Sequence, residues 1–156
     1  MHRTSVVALS AILALLTACQ SDVLPVSIPG IPFQRVSEEE QIAVVLEDVR
    51  AGMQSRRIYQ VTAHVSRSYR DDDGRDYDAI VSYLTTIFEN YRDIRITRVP
   101  PQIAVDGATA QVLDTFGTIA EPRSADYPPI NLDGRVLIKL EKISGEWMIM
   151  AWSTIN

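Results

Sequence analysis

Three side chains in this 156-residue chain stand out as candidates for moving protons, and one acidic run is of the type that holds a cation. The proton movers are His64, Asp114 and Tyr69. A histidine titrates near neutrality, and a carboxylate or phenol beside it can complete an acid–base pair. His64 lies three residues after Val61, on or beside an apolar helical stripe, and could pair with Asp114, Tyr69 or Asp76 in a pocket. The plainer reading is a half-buried structural histidine. Asp114 shares one face of an alternating stretch with Ala110, Val112 and Phe116, which is the face that buries. Burial disfavours a charged carboxylate, so Asp114 needs a partner or a proton there. The alternatives are a pocket acid, or a bulged strand from which Asp114 reaches solvent or an arginine. The acidic run is Asp71-Asp72-Asp73-Gly74, with Asp76 and Asp78. Placing Gly74 sixth in a calcium loop puts Tyr69 first and Ile80 twelfth, and neither supplies a carboxylate. The run reads instead as a solvated turn whose later acids cap a helix. No G-x-S-x-G, H-E-x-x-H or phosphate-cradling glycine loop is present. No catalytic set is assigned, and no cofactor or metal is expected.

Helices must position the first of these residues and strands the last. Ser37, with Glu40 three residues on, makes a capping box, and Glu38 and Glu39 suit the positive end of a helix dipole. Ile42, Val45, Leu46, Val49 and Met53 then form one stripe at helical spacing. A second helical stretch aligns Ile58, Val61 and Val65; Gly52 and Arg56-Arg57 suggest a bend before it, and one long helix is the alternative. Asp76 or Asp78 caps a third helix, with Ile80, Leu84, Ile87, Phe88 and Tyr91 on its buried face. After Tyr91 the period changes from 3.6 to 2. Ile94 and Ile96 alternate with Arg95 and Thr97 in a strand ended by Pro100-Pro101. Ile103 and Val105 lead to a type I′ hairpin at Asp106-Gly107, followed by a long strand over 108–119. Residues 120–133, with Pro122, Pro128 and Pro129, read as a loop, and 135–143 with 146–155 as a hairpin about Ser144-Gly145.

Helices followed by a run of antiparallel strands is the α+β pattern. The element order, the closing Gly145-x-Trp147-x-Ile149, and Ser68-Tyr69-Arg70-Asp71 with Tyr77 before the third helix resemble the nuclear transport factor 2-like superfamily, which includes the SnoaL-like proteins. The resemblance covers residues 38–155. It implies N-terminal helices packed on a curved antiparallel sheet, cone-like as in the cystatin-like folds, with a pocket at the wide end. Ketosteroid isomerase-like relatives place acids and a tyrosine in that pocket. None of their motifs matches onto Asp114, so no role is carried over.

The N-terminus carries a second resemblance. His2 and Arg3 precede an apolar run, Val6 to Leu16, and Leu16-Thr17-Ala18-Cys19 follows it. A helix of that run spans roughly 16 Å, about half of a ~30 Å hydrocarbon core, so it suits a cleaved leader better than a spanning segment. The tetrad resembles a bacterial lipobox. By that resemblance residues 1–18 are a lipoprotein signal peptide, and Cys19 is lipidated to become the new N-terminus. Cys19 is the sole cysteine, and lipidation removes what would be a free thiol in an exported chain. Gln20 rather than Asp after the cysteine favours the outer membrane, facing the periplasm. Residues 19–37, with Pro25, Pro29, Pro32 and Gly30, form a tether with extended character, and 38–156 form one domain. Ile28, Ile31 and Phe33 could instead lie against that domain.

The formal net charge of −5 becomes one unit more negative without Arg3, which argues against nucleic acid as a partner. The expectation is a lipid-anchored cell-envelope protein. It meets the membrane through Cys19, its domain binds a small apolar ligand or an envelope protein without catalysis, and a homodimer is one assembly open to it. The alternative is a SnoaL-like pocket enzyme, an isomerase or hydrolase, using Asp114 with His64 or Tyr69. Cys19→Ser should leave the domain folded and move the chain from the membrane fraction to the soluble one. Sedimentation of the variant with membranes after a high-salt wash would contradict the anchor.

Overall fold

The computed structural model describes residues 36–155, so the leader, Cys19 and the proline-containing stretch up to residue 35 lie outside the described residues. The described residues form one compact unit. Three helices come first: α1 (Glu38–Gln54), α2 (Ile58–Thr62) and α3 (Tyr77–Asn90). Five strands follow: β1 (Tyr91–Arg98), β2 (Gln102–Asp106), β3 (Thr109–Pro122), β4 (Ile130–Ile143) and β5 (Glu146–Ile155).

The start of α1 is fixed by its capping box. Ser37 Oγ accepts from Glu40 N at 3.1 Å, and Glu40 Oε2 accepts from Ser37 N at 2.8 Å. Its stripe buries Ile42, Leu46 and Val49, with Val45 and Met53 half-buried beside them. Gly52 is where α1 and α2 come closest. A Cβ there would stand 2.9 Å from Val61 Cγ2, so a side chain is excluded by contact. The chain reverses at Arg56, in the left-handed region at φ 54°.

The second helical stretch is shorter than its pattern. It stops at Thr62, and Val65 lies instead in a parallel bridge with Ile149. The backbone after α2 is taken by the free edge of β5. Ile149 N donates to His64 O (2.8 Å), Ser66 N to Ile149 O (2.9 Å) and Arg70 N to Met150 O (3.0 Å). A long-range pairing thus overrides helical continuation, and it covers an edge that would otherwise be exposed.

α3 begins at Asp76, whose Oδ1 accepts from Ala79 N at 3.0 Å. Tyr91, placed by spacing on the helix, opens β1 instead. Of the expected buried face Leu84 and Tyr91 are fully covered, while Ile80, Ile87 and Phe88 are half-buried. That face lies over a hollow rather than a filled core.

The sheet is antiparallel, in the order β1-β3-β4-β5, and β2 also pairs with β3. β1 and β2 lie end to end along one edge of β3, against residues 116–122 and 109–113, with Pro100-Pro101 between them. The β2–β3 hairpin pairs Asp106 with Thr109, so its loop is Gly107-Ala108 rather than Asp106-Gly107. Only Gly107 has a positive φ, 59°, which is the type II′ pattern. Ser144 and Gly145 both have positive φ, the type I′ pattern, at the hairpin expected there. β3 and β4 reach further than their sequence suggests, because Ile119, Thr118 and Gly117 pair with Asn131, Leu132 and Asp133. Pro122 ends β3, Pro128-Pro129 stand just before β4, and the loop shrinks to 123–129.

Bulges in β1, about Asp93 (φ 52°), and in β5, opposite Lys139 and Leu140, bend the sheet into a concave surface. The core lies on that surface. Val112, Ile138, Leu140 and Ile149 from the sheet meet Ile42, Leu46, Val61 and Leu84 from the helices. Among the described residues no helix is long and apolar enough to cross a membrane.

Candidate functional site

The concave face is not completely filled. A hollow of about 360 Å³ lies between α3 and the sheet, walled by Ile80, Leu84, Ile87, Ile94, Val136 and Trp152, with Tyr69, Asp71 and Arg75 at its polar side. A second hollow of about 130 Å³ lies between α1 and the sheet, walled by Leu46, Val49, Ile96, Ile138 and the pair Arg98 and Asp114. Met53, Phe116, Thr118 and Trp152 line both hollows, so one row of side chains divides a single concavity. Gly134, paired with Phe116 across β3 and β4, gives the ring its place: a Cβ at 134 would stand 3.3 Å from the ring edge.

Three polar clusters surround this space. At the larger hollow, Asp71 accepts at Oδ1 from Arg75 N (2.8 Å), and at Oδ2 from Arg75 Nε (2.8 Å) and the Tyr69 hydroxyl (3.3 Å). Burial alone would raise the Asp71 carboxyl, but the backbone and guanidinium hydrogen bonds from Arg75 outweigh it and hold the group below its ordinary value. Burial, with Asp71 adjacent, pushes the Tyr69 phenol up, so it stays protonated.

At the smaller hollow, Asp114 Oδ1 accepts from Arg98 Nε at 3.0 Å, and Arg98 Nη1 donates to Leu46 O at 3.0 Å. Arg98 Nη2 stands 2.9 Å from Asp114 Oδ2. It is off the alignment of a hydrogen bond, but the carboxylate oxygen lies against Nη2 and answers its charge. We therefore take this second contact as an ion pair only. The two side chains are 13% and 6% exposed, so the pair is largely out of water.

The third cluster is on the helical surface. His64 Nε2 and Asp48 Oδ2 are 2.7 Å apart, and Gln60 Nε2 donates to Asp48 Oδ1 at 2.7 Å. The hydrogen bond with His64, then that from Gln60, lowers the Asp48 carboxyl.

The candidates read from sequence therefore separate. His64 bonds Asp48, Tyr69 bonds Asp71, and Asp114 bonds Arg98; the pairings of His64 with Asp114, Tyr69 or Asp76 do not form among the described residues. Asp114 is on the buried face, as its alternation requires, and its partner is an arginine. The acidic run divides. Asp72 and Asp73 are exposed and Asp76 caps α3, but Asp71 is buried and ion-paired rather than solvated. Asp48 and Arg75 went unnoticed beforehand. Arg98 had a signal, because Ile94, Ile96 and Arg98 follow the two-residue period onto the inner face. Among the described residues no cluster of three or more His, Cys, Asp or Glu is placed to hold a metal ion.

By sequence, the chain matches no family model and no curated protein. Its fold is nevertheless shared. A nuclear transport factor 2-like superfamily protein from Salmonella enterica superposes with a TM-score of 0.65 at 17% identity, over 76% of this chain and 89% of the other. The domain has the nuclear transport factor 2-like fold. Two proteins from Novosphingobium aromaticivorans superpose on this fold as well. One, named as a proposed scytalone dehydratase, does so with a TM-score of 0.67 at 17% identity, over 76% of this chain and 85% of the other. The other, named as a proposed aromatic ring hydroxylase, gives 0.68 at 12% identity, over 77% and 89%.

Two substitutions test how the clusters hold together. Asp114→Asn should destabilise the domain by about 3 kcal/mol, read from chemical unfolding at pH 7, because it leaves Arg98 buried without its counter-charge. A neutral or stabilising effect would show that the pair is not what holds β1 to β3. Arg75→Gln removes the guanidinium donor and the positive charge that help depress Asp71, and keeps the backbone N–H that also does so. A depressed folded-state carboxyl stabilises above the unfolded value, near 3.9, and loses that contribution as pH falls through the folded value. The variant should therefore be destabilised at pH 7 and much less so near pH 3. An equal deficit at both pH values would contradict the linkage.

Proposed function

We propose that this chain is a lipid-anchored protein of the cell envelope whose concavity binds a small apolar ligand without transforming it. The observation that carries the reading is the larger hollow. At about 360 Å³ it falls within the range of roughly 300–1,000 Å³ typical of small-molecule sites, and its walls are mainly apolar. The polar groups in and around the concavity already pair with one another. Asp71 is committed to Arg75 and Tyr69, Asp114 to Arg98, and His64 to Asp48, an arrangement that suits holding a ligand better than exchanging protons with it. For the same reason a pocket enzyme using Asp114 with His64 or Tyr69 is the less favoured reading, although two proteins of like fold are named as a dehydratase and a hydroxylase. The lipid anchor, the outer-membrane location and the periplasmic orientation rest on the tetrad ending at Cys19 and on Gln20.

The test uses the full chain carrying Cys19→Ser, which has no attached lipid to absorb an apolar probe. N-phenyl-1-naphthylamine should bind saturably, with enhanced emission. Thr118→Trp, which places an indole in the row shared by both hollows, should abolish that binding while thermal unfolding stays cooperative. Absence of saturable binding to the parent chain, or equal binding by the Trp variant, would refute the reading.

A further inference from the structure

Towards its start, β4 runs past the end of β5. The last pair between them is Ile155 opposite Arg135, and residues 130–134 of β4 pair only with β3 among the described residues. The register tells which main-chain groups are left open. Lys142 N donates to Ala108 O, and the β3–β4 register continues unshifted from there to Ala120 opposite Ile130. Hydrogen-bonded and non-hydrogen-bonded pairs alternate in an antiparallel ladder, so even-numbered residues of β4 bond β3 and odd-numbered ones face away. Asn131 and Asp133 therefore each turn an N–H and a C=O to the open side. Both are exposed, as is Leu132 between them, so a second chain can reach these groups. The connecting loop leaves them uncovered. Arg123 N donates to Asn90 O and the Tyr91 hydroxyl to Pro128 O, which ties residues 123–129 to the junction of α3 and β1, across β3 from the open side.

We propose that this stretch of β4 takes up an extended segment of another polypeptide as an added strand, in the line of β5. The segment is apolar where it faces the concavity and basic at the positions between. This goes beyond the apolar-ligand reading and does not rest on it. Main-chain donors and acceptors repeating every second residue fit the backbone of a strand, and alternate side chains of that strand then supply specificity. On the concave side, Ile130 and Leu132 share the parity of the buried Val136 and Ile138 and wall the larger hollow, with Tyr83 of α3 among the other walls. Leu132 and Tyr83 are each about half exposed, so an apolar side chain opposite Leu132 has surface to cover. β2, whose outer edge also lacks a strand, borders neither hollow.

The convex side supplies the charge. Asp133 has no ion pair among the described residues. Its carboxylate lies over Gly117, where a Cβ would stand 2.6 Å from Asp133 Oδ1. Turned across β3 in this way, the charge does not stand guard at the edge, as charged side chains on edge strands otherwise do. A basic side chain on the added strand, on the same face, answers it as a cross-strand pair. A second copy of this chain fits less well, because its equal edge brings another Asp133 rather than a base.

The experiment titrates the full chain carrying Cys19→Ser with the acetylated peptide amide Thr-Lys-Phe-Lys-Thr, with amide exchange read residue by residue by NMR. Binding should be saturable, and exchange at Asn131 and Asp133 should slow on the order of tenfold at saturation. The same peptide methylated on both lysine main-chain nitrogens keeps its side chains but has no N–H to give. It should bind on the order of tenfold more weakly. Asn131→Pro removes an outward N–H without breaking a bond to β3, so the domain should fold and lose affinity for the peptide by a similar factor. If that variant does not fold, the two peptides on the parent chain decide. No saturable binding, unchanged exchange at Asn131 and Asp133 with the peptide bound, or equal binding of the methylated peptide overturns the inference. Protection of those two amides that grows with protein concentration, without peptide, assigns the edge to a second copy and overturns it as well. N-phenyl-1-naphthylamine binding, measured without peptide, reports on the hollow separately. Its loss leaves strand addition standing, and failure of the peptide leaves the apolar-ligand reading standing.

Discussion

Three elements of the domain meet at one guanidinium. Arg98 ends β1, its Nε donates to Asp114 in the middle of β3, and its Nη1 donates to the Leu46 carbonyl of α1. Inside a protein such groups are tolerated only when paired, so this contact constrains both the height of α1 above the sheet and the register of β1 on β3. The neighbouring pairing, Arg98 opposite Phe116, sets the aromatic ring beside the same cluster. The space between α1 and the sheet remains open because a polar pair, rather than interdigitated aliphatic side chains, occupies that level of the core.

Curvature supplies the rest of the cavity. The bulges in β1 and β5 bend the sheet away from α3, whose apolar face is consequently only half covered. The order of elements, the capping box at Ser37 and the α+β class were legible in the sequence, because each is written in local residue types and short periods. Helix α1 shows this most clearly, with a stripe that needs no distant partner to be recognised. The limits of α2 were not legible. Val65 lies at helical spacing from Val61, yet its backbone is claimed by Ile149, more than eighty residues away. The extent of β3 and β4 was hidden similarly, since Pro122, which reads as loop punctuation, turns out to end β3.

The site was half legible. Alternation placed Asp114 on the inner face, and the structure puts it there, but pattern alone cannot say which cation answers it. Arg98 falls on the inner face by the same period of two, so the pair was written in two strands whose register only the fold provides. Asp71 was misread for a related reason. Four consecutive polar or glycine residues look solvated, yet a turn that donates two hydrogen bonds from Arg75 makes an interior for one of them. His64 went to Asp48 because α1 and α2 pack closely at Gly52, a contact that no spacing within either helix encodes.

The pairing of residues 64–70 with β5 has a consequence for the order of assembly. β5 contributes Trp147, Ile149 and Trp152 to the core and the cavity wall, and it also supplies the partners for His64, Ser66 and Arg70. The helical half of the chain therefore waits for residues far downstream before its own connecting segment can settle. Contacts of such separation slow folding, since a long loop must close before any stabilisation follows. A nascent chain halted before Ile149 would present two unpaired backbone edges at once, one on β4 and one after α2, and both are templates for intermolecular pairing.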